Sequence, residues 1–302
     1  MGAIAVRKAS EGRYRLRNIL RWFGPMAPAL VIMAIFFAGP VIWTFYIAFT
    51  NMELTGSTAS NYTFVGVQNF RQMFSDPTFR QSVVLTIIFT LCSAVVGQAG
   101  LGMLLALLMR GKNGLFRAVL GAIVVGAWVV PEIVAAFIWY AFLNKDGTLN
   151  VFLGALSLPQ KNWLYVAPMI SVILANVWRG TAFSMLVFSA AISDVPRDLL
   201  EAAEIDGANS LQRLMRVTLP LIKSSIMTNL ILITLQTLAL FTLIFAMTGG
   251  GPGTKSQTLP IYMYQEAFKF YQLGYGSAVA LILLVIGAVA SLIYIRVLKV
   301  EI

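Results

Sequence analysis

The sequence predicts an all-α integral membrane protein with six transmembrane helices. Of its 302 residues, 59% are hydrophobic and only 11% are charged, and its mean hydropathy is +0.81. A soluble domain carries roughly 25% charged residues, so this composition favours a lipid bilayer as the solvent. Six apolar runs can each cross roughly 30 Å of hydrocarbon as a helix. These runs cover residues 25–49, 82–109, 117–142, 165–191, 222–247 and 277–298.

Basic residues predict how the chain is oriented. With six spans, both termini lie on one side of the membrane. The segments on that side hold fifteen Lys and Arg residues, whereas the opposite loops hold six. Because cytoplasmic segments are enriched in Lys and Arg, both termini are predicted to be cytoplasmic. Residues 1–24 then form a basic cytoplasmic tail, and residues 25–302 form one membrane domain.

Several kinds of chemistry are excluded by composition or position. The chain has no histidine and a single cysteine, Cys92, so it predicts no histidine catalysis, intrachain disulfide or multi-cysteine metal site. Residues 249–256, GGGPGTKS, superficially resemble a phosphate loop, but Thr254 stands where the Walker pattern requires glycine. The excess positive charge follows the topology rather than a nucleic-acid surface. We therefore predict a chain without an enzymatic, ATP-binding or metal site.

The polar stretch 193–222 separates the fourth and fifth apolar runs. It holds five of the twelve acidic residues and predicts a short helix, a turn and a second helix. Gly207 can adopt the positive φ that ends the first helix, and Asn209 or Ser210 can cap the second. On periodicity alone, an ordinary amphipathic connector and a docking surface both fit this stretch.

The residues of this stretch resemble the EAA loop of binding-protein-dependent ABC importer permeases. The match consists of Glu-Ala-Ala at 201–203, Gly207, Val217 in place of isoleucine, and Leu-Pro at 219–220. The Gly-Gly-Pro at 250–252 and other residues between 25 and 295 resemble the carbohydrate-uptake branch, in particular the first permease of maltose-type importers. The resemblance implies coupling to an ATPase through Glu201, Ala202, Ala203, Asp206, Gly207, Leu219 and Pro220.

The resemblance also implies an assembly in a bacterial inner membrane. Its partners would be a second homologous permease, two ATPase subunits that bind ATP and magnesium, and an extracytoplasmic solute-binding protein. The solute would be a sugar or a sugar-like molecule, and lipid would surround the spans. The stretch 193–222 would form the coupling loop.

Two ionisable residues, Glu132 and Arg179, fall near the middle of their predicted spans. Charges at this depth are costly and usually face a partner or a water-filled path. The two residues could pair with each other, or either could line a solute pathway. A third interpretation is that the spans are shifted and one charge reaches an interface.

Two sets of intramembrane residues are candidates for solute binding. Asn176, Arg179, Gly180 and Phe183 follow helical i, i+3, i+4, i+7 spacing and share one face of the fourth span. Their amide, guanidinium and ring suit a polyhydroxylated ligand, and the glycine would make room for it. On the fifth span, Gln236, Thr237, Leu240 and Phe241 form a similar cluster. Both sets resemble sugar-holding positions of maltose-type permeases, although helix packing also explains such residues.

Two alternative functions remain open at this stage. The same machinery could import an anionic solute, such as a glycerol phosphate or an acidic sugar, with Arg179 as its counter-charge. Alternatively, the chain could be a stand-alone secondary carrier or channel, against which the EAA spacing argues.

Overall fold

Helices dominate the computed structural model, which describes residues 25–298. Within that range the only β contact is an isolated antiparallel bridge between Thr50 and Phe64. The helices are α1 (Ala27–Ile47), α2 (Gln68–Ser75), α3 (Pro77–Met109), α4 (Gly114–Val129), α5 (Glu132–Leu143), α6 (Thr148–Ala155), α7 (Trp163–Val166), α8 (Pro168–Ser193), α9 (Arg197–Ile205), α10 (Ser210–Leu221), α11 (Lys223–Leu238), α12 (Thr242–Thr248), α13 (Leu259–Tyr264) and α14 (Leu273–Leu298). The predicted tail, residues 1–24, lies outside the described residues.

The number of spans agrees with the prediction of six. Four helices, α1, α3, α8 and α14, are long and apolar enough to cross a membrane unbroken. Two further spans are bent: α4 meets the α5–α6 segment at 102°, and α10 meets α11 at 70°. With each bent pair counted as one span, the described residues form six spans.

Two of the predicted spans are interrupted, which corrects their prediction as continuous runs. The run 117–142 stops at Val129 and resumes at Glu132. Pro131 has no backbone N–H and disfavours helical geometry at the residue before it, and Val130 is accordingly extended (φ −59°, ψ 128°). The run 222–247 is interrupted between Leu238 and Thr242. Both interruptions border the cavity described below.

The two ends of the bundle carry different elements. The end with α9 is termed the coupling face here, and the end with α2, α6, α7 and α13 is termed the far face. Helix α8 occupies the centre and packs against α3, α4 and α11. Glycine residues of α3 allow this helix to lie very close to α8. A Cβ atom on Gly97 of α3 would lie 2.2 Å from Val177, and one on Gly102 would lie 2.4 Å from Ser184 Cβ.

Because α3 and α8 lie so close together, adding a methyl group should lower stability at the contact but not elsewhere on α3. Gly102→Ala should destabilise the protein by about 1–3 kcal/mol, because the methyl would also lie 2.8 Å from the backbone nitrogen of Met185. Gly100→Ala is a matched control on the same helix, since no atom lies within 4 Å of the place its methyl would take. Thermal unfolding in detergent measures both variants. Equal losses for the two would contradict the tight α3–α8 contact.

Helix α1 is attached to the rest of the bundle mainly at its far-face end. There the Asn69 side chain donates hydrogen bonds to the carbonyls of Ala48 (2.9 Å) and Thr50 (2.8 Å). Further along α1, Phe36 and Phe37 are 76% and 68% exposed. Most of this span therefore presents its side chains to lipid or to another subunit.

Candidate solute cavity and coupling loop

A cavity of about 280 Å³ lies where the two spans are interrupted. The α4–α5 and α11–α12 interruptions meet there, and α3 and α8 complete the wall. Its lining residues are Gln98, Trp128, Glu132, Asn176, Arg179, Gly180, Phe183, Gln236, Thr237, Ala239 and Leu240. Interrupted helices commonly form binding sites inside membrane proteins, because irregular backbone is tolerated where it borders a cavity.

Seven of the eight predicted solute-binding residues line this one cavity. The exception is Phe241, whose ring lies 5.0 Å from that of Phe245 and 4.9 Å from that of Tyr264. The prediction extended helical spacing through Phe241, but α11 ends at Leu238 and the chain turns. The role of the seven residues in holding a solute stays a prediction.

Glu132 and Arg179 both line the cavity but do not form an ion pair in the described part of the chain. Glu132 Oε1 instead accepts a hydrogen bond of 3.0 Å from the backbone nitrogen of Leu243, in the first turn of α12. Arg179 Nε donates to the carbonyl of Val130 at 3.4 Å. Each side chain thus satisfies a backbone group freed by a helix interruption. Of the three interpretations of this pair, lining a cavity is the one that the geometry supports.

Gly180 lines the cavity and also makes room for a side chain of another span. A Cβ atom on Gly180 would lie 2.3 Å from Gln98 Cδ. Gln98 Nε2 also donates to the carbonyl of Asn176 at 3.3 Å. Gln98 was not predicted from the sequence, although a polar amide inside the apolar run 82–109 indicates a contact with another span or with a cavity. Gln98 belongs to a π-helical segment of α3, Leu91–Ala99, and such segments are frequent at functional sites.

Asn176 combines helix packing with a place in the cavity wall. It is buried, and its Nδ2 donates to Ser93 Oγ of α3 at 2.5 Å. Part of its hydrogen-bonding capacity therefore joins two spans, as the packing interpretation predicted. The other large polar groups around the space are those of Gln98, Glu132, Arg179 and Gln236.

An aromatic pair forms another part of the wall. The rings of Trp128 and Phe183 lie 6.1 Å apart in a tilted arrangement. Trp128 was not predicted, because its place depends on the bend after α4. The amide, guanidinium and carboxyl groups can form hydrogen bonds with the hydroxyl groups of a ligand. The neighbouring aromatic rings can cover an apolar C–H face of the same ligand. In the part of the chain that the structure describes, no three Cys, Asp or Glu residues gather as metal ligands.

The predicted coupling loop folds as a helix, a tight turn and a second helix. Gly207 has φ +81°, as predicted, and follows α9. The nitrogens of Gly207 and Ala208 donate to the carbonyls of Glu204 (3.0 Å) and Ala203 (2.9 Å), which closes the end of the helix. Asn209 then caps α10 through a reciprocal pair of hydrogen bonds with Gln212.

Most of the predicted coupling residues are accessible on the coupling face. Glu201, Ala202, Asp206, Gly207 and Pro220 are exposed. The other two, Ala203 and Leu219, are partly buried. Ile205, the last residue of α9, is an apolar side chain that is 87% exposed on the same face. Glu204 forms an ion pair with Arg213 across the turn.

A polar network joins three helices at the far face. Asp76 caps α3 by accepting from the Thr78 nitrogen at 2.7 Å, and it accepts from the Tyr262 hydroxyl at 2.5 Å. The Tyr262 and Tyr275 hydroxyls lie 2.9 Å apart. Burial acts to raise the pKa of Asp76, but the hydrogen bonds from Tyr262 and Thr78 lower it below its ordinary value. Burial and the bond to Asp76 raise the pKa of Tyr262.

Glu266, which lies near Asp76 of this network, should make the stability of the folded chain depend on pH. Burial, together with the negative charge of Asp76, raises the pKa of Glu266 to about 7, from an ordinary value of 4.5. Between these two values the folded chain binds the proton more tightly than the unfolded chain, so stability falls as pH rises through this window. Glu266→Gln removes the ionisation and should flatten the decline in Tm, measured from pH 5 to pH 8. Asp146→Asn, at an exposed position of the far face, should leave the decline unchanged.

The fold and the cavity define a multi-span helical subunit of a membrane transporter. The chain belongs to the family described as binding-protein-dependent transport system inner membrane component, whose family model matches residues 98–298. The predicted membership in the binding-protein-dependent importer permeases is thereby confirmed. The family description also makes the chain a multi-pass inner-membrane component that works with a binding protein.

Characterised relatives align over nearly the whole chain. The sulfoquinovosyl glycerol transport system permease protein SmoG of Agrobacterium fabrum is 31% identical, and the alignment covers 91% of this chain and 89% of the relative. The trehalose/maltose transport system permease protein MalF of Thermococcus litoralis is 33% identical, covering 89% of this chain and 90% of the relative. The multiple sugar-binding transport system permease protein MsmF of Streptococcus mutans is 32% identical, covering 89% and 92%.

Solved structures share the fold. A chain of a bacterial alginate ABC transporter, crystallised with an alginate pentasaccharide-bound periplasmic protein, superposes with a TM-score of 0.81 at 21% identity, covering 96% of this chain and 99% of that chain. The MetNI methionine ABC transporter, in an inward-facing conformation, gives a TM-score of 0.52 at 17% identity, covering 74% of this chain and 95% of that chain. At these identities, the likeness shows the fold alone.

Proposed function

We propose that this chain is a permease subunit of an ATP-driven importer and that it passes a sugar or sugar-like solute to the cytoplasm. The observation that carries the proposal is that seven of the eight residues predicted to bind a hydroxylated solute line one cavity. The names of three aligned relatives, which refer to sulfoquinovosyl glycerol, trehalose or maltose, and multiple sugars, support the same solute class.

The charges around the cavity favour a neutral solute over an anion. Arg179 contributes a positive guanidinium, and Glu132 contributes an acidic group to the same space. A site built around one anion would not be expected to place a carboxyl group beside the counter-charge, because like charges at short range are costly. Hydroxyl groups, by contrast, can donate to the carboxyl and accept from the guanidinium.

Partner subunits, and not this chain, hydrolyse ATP. Two ATPase subunits bind ATP and magnesium, and this chain is not itself an enzyme. The coupling face meets one ATPase through α9, with Glu201 and Gly207 at the contact. A second, homologous permease completes the pathway, and both termini of this chain lie in the cytoplasm. Closure of the ATPase pair then pulls α9 and opens the cavity toward the binding protein, and reopening releases the solute inward.

Uptake by the reconstituted transporter tests the solute class. We expect Arg179→Gln to lower uptake of a neutral sugar by about tenfold or less, since the amide retains one hydrogen-bond donor group and loses about 1.4 kcal/mol or less. If the natural solute is instead an anion, Arg179→Gln abolishes its uptake while any transport of neutral sugars survives. Comparing several neutral sugars and sugar phosphates in one assay separates the two results.

ATP dependence tests the transporter class. Proteoliposomes that contain the complete assembly should accumulate solute only with ATP inside and the binding protein outside. Accumulation by this chain alone, driven by an ion gradient without an ATPase subunit, would establish a secondary carrier and overturn the importer proposal.

A further inference from the structure

A basic pocket of about 230 Å³ opens at the coupling face, away from the solute cavity. Four helix ends form it: the end of α3, the start of α4, the end of α8 and the start of α9. Three arginines from three different segments, Arg110, Arg117 and Arg197, line the pocket. The loop and helix geometry therefore brings together charges that are far apart in sequence.

These arginines have no acidic partner in the part of the chain that the structure describes. No ion pair involves them, whereas Arg213, on the neighbouring α10, is paired with Glu204. Arg110, Arg117 and Arg197 are exposed, and three like charges around one space create a positive potential that favours an anion there. The pocket also contains a neutral donor, because Ser189 lines it and Ser189 Oγ is buried without a hydrogen-bond partner.

The position of the pocket indicates what kind of anion fits. Arg110 follows the last residue of the α3 span, and Arg117 lies in the first turn of the α4 span, so a bilayer crossed by these two helices would place both arginines near its headgroups. Directly beside them, Leu108, Leu115 and Val119 are 50%, 75% and 52% exposed. A phosphate in the pocket would thus have an apolar surface next to it for an attached acyl chain.

We propose that this pocket binds the phosphate of an anionic phospholipid. Arg110, Arg117 and Arg197 supply charge-assisted hydrogen bonds, and Ser189 supplies a further donor. Basic pockets between transmembrane helices at a membrane surface are known to suit such headgroups. Because α9 contributes Arg197 and Leu200 to the wall, the bound lipid would touch the base of the coupling loop.

Lipid titration of the transporter, purified with its partner subunits, tests this proposal. Native mass spectrometry measures the binding of phosphatidylglycerol, with phosphatidylcholine as the neutral lipid. We expect Arg117→Gln to weaken phosphatidylglycerol binding about fivefold. Ser189→Ala, which changes no charge, should weaken it about threefold. Lys112→Gln removes a charge from the same loop but outside the pocket, and it should leave binding unchanged.

Three results would overturn the proposal. Equal losses for Arg117→Gln and Lys112→Gln would indicate only general attraction to the charged surface. Equal binding of phosphatidylcholine would show that the phosphatidylglycerol charge is not recognised. Displacement of the lipid by millimolar inorganic phosphate would identify a site for a soluble anion instead.

Discussion

Gly207→Ala should lower ATP-driven uptake about tenfold. Gly207 has φ +81°, a conformation that costs an alanine about 1–2 kcal/mol, and no atom within 4 Å would clash with the added methyl. The whole effect therefore comes from backbone strain in the turn between α9 and α10. Because this turn is exposed, it can relieve the strain by opening, which displaces α9 from its docking position.

A second glycine provides the control for this experiment. Gly56 has φ +84°, lies in a far-face loop, and an added methyl there would have only Glu53 Oε2 near it, at 4.0 Å. Gly56, with ψ −170°, lies in a backbone region that only glycine readily adopts, so Gly56→Ala introduces strain at a positive φ without touching the coupling loop. Uptake and ATP hydrolysis are measured for both variants at matched protein levels. If the two variants lose the same activity, general destabilisation explains the loss and the coupling role of Gly207 is refuted.

Glu132→Leu should also lower uptake about tenfold or more, as Gly207→Ala does, but for a different physical reason. The substitution leaves the nitrogen of Leu243 without its acceptor at the start of α12. A buried backbone donor without a partner costs about 1–3 kcal/mol, and Arg179 loses the acidic group that shares its cavity. We expect lower thermal stability together with at least about tenfold lower uptake, since the solute cavity is built around this interruption.

Glu132→Gln separates the structural role of this side chain from its charge. Glutamine retains a carbonyl oxygen that can accept from the Leu243 nitrogen, so α12 should keep its position and stability. Uptake of a neutral sugar should fall much less than in Glu132→Leu. If the two variants have equally low stability and uptake, the charge of Glu132 matters more than its bond to α12.

The local features of this chain could be predicted from sequence. Six apolar runs and the distribution of basic residues require only composition and spacing, and the described residues form four unbroken spans, or six with each bent pair counted as one span. The turn at Gly207 and the cap at Asn209 depend on neighbouring residues only, and both are present in the structure. Six of the seven residues that share the cavity lie on the regular helices α8 and α11, and Leu240 lies in the interruption that follows Leu238.

The features that sequence reasoning missed depend on contacts between distant segments. The interruption after Leu238 contains neither proline nor glycine, and it is held by Glu132, more than a hundred residues away. Phe241 was misplaced because a regular helix was extended through that interruption. The space beside Gly180 is filled by Gln98 of another span, which no pattern within α8 could indicate.

Helix α1 is attached to the other helices mainly at its far-face end, so it can pivot about that end. Its far-face end is fixed by the two hydrogen bonds from Asn69, whereas the side chains along most of its length are exposed. A rod held at one end moves most at its free end, so a small rotation near Asn69 becomes a larger sideways displacement at the opposite membrane surface. We infer that most of the first span can shift sideways without disturbing the packed helices around α8.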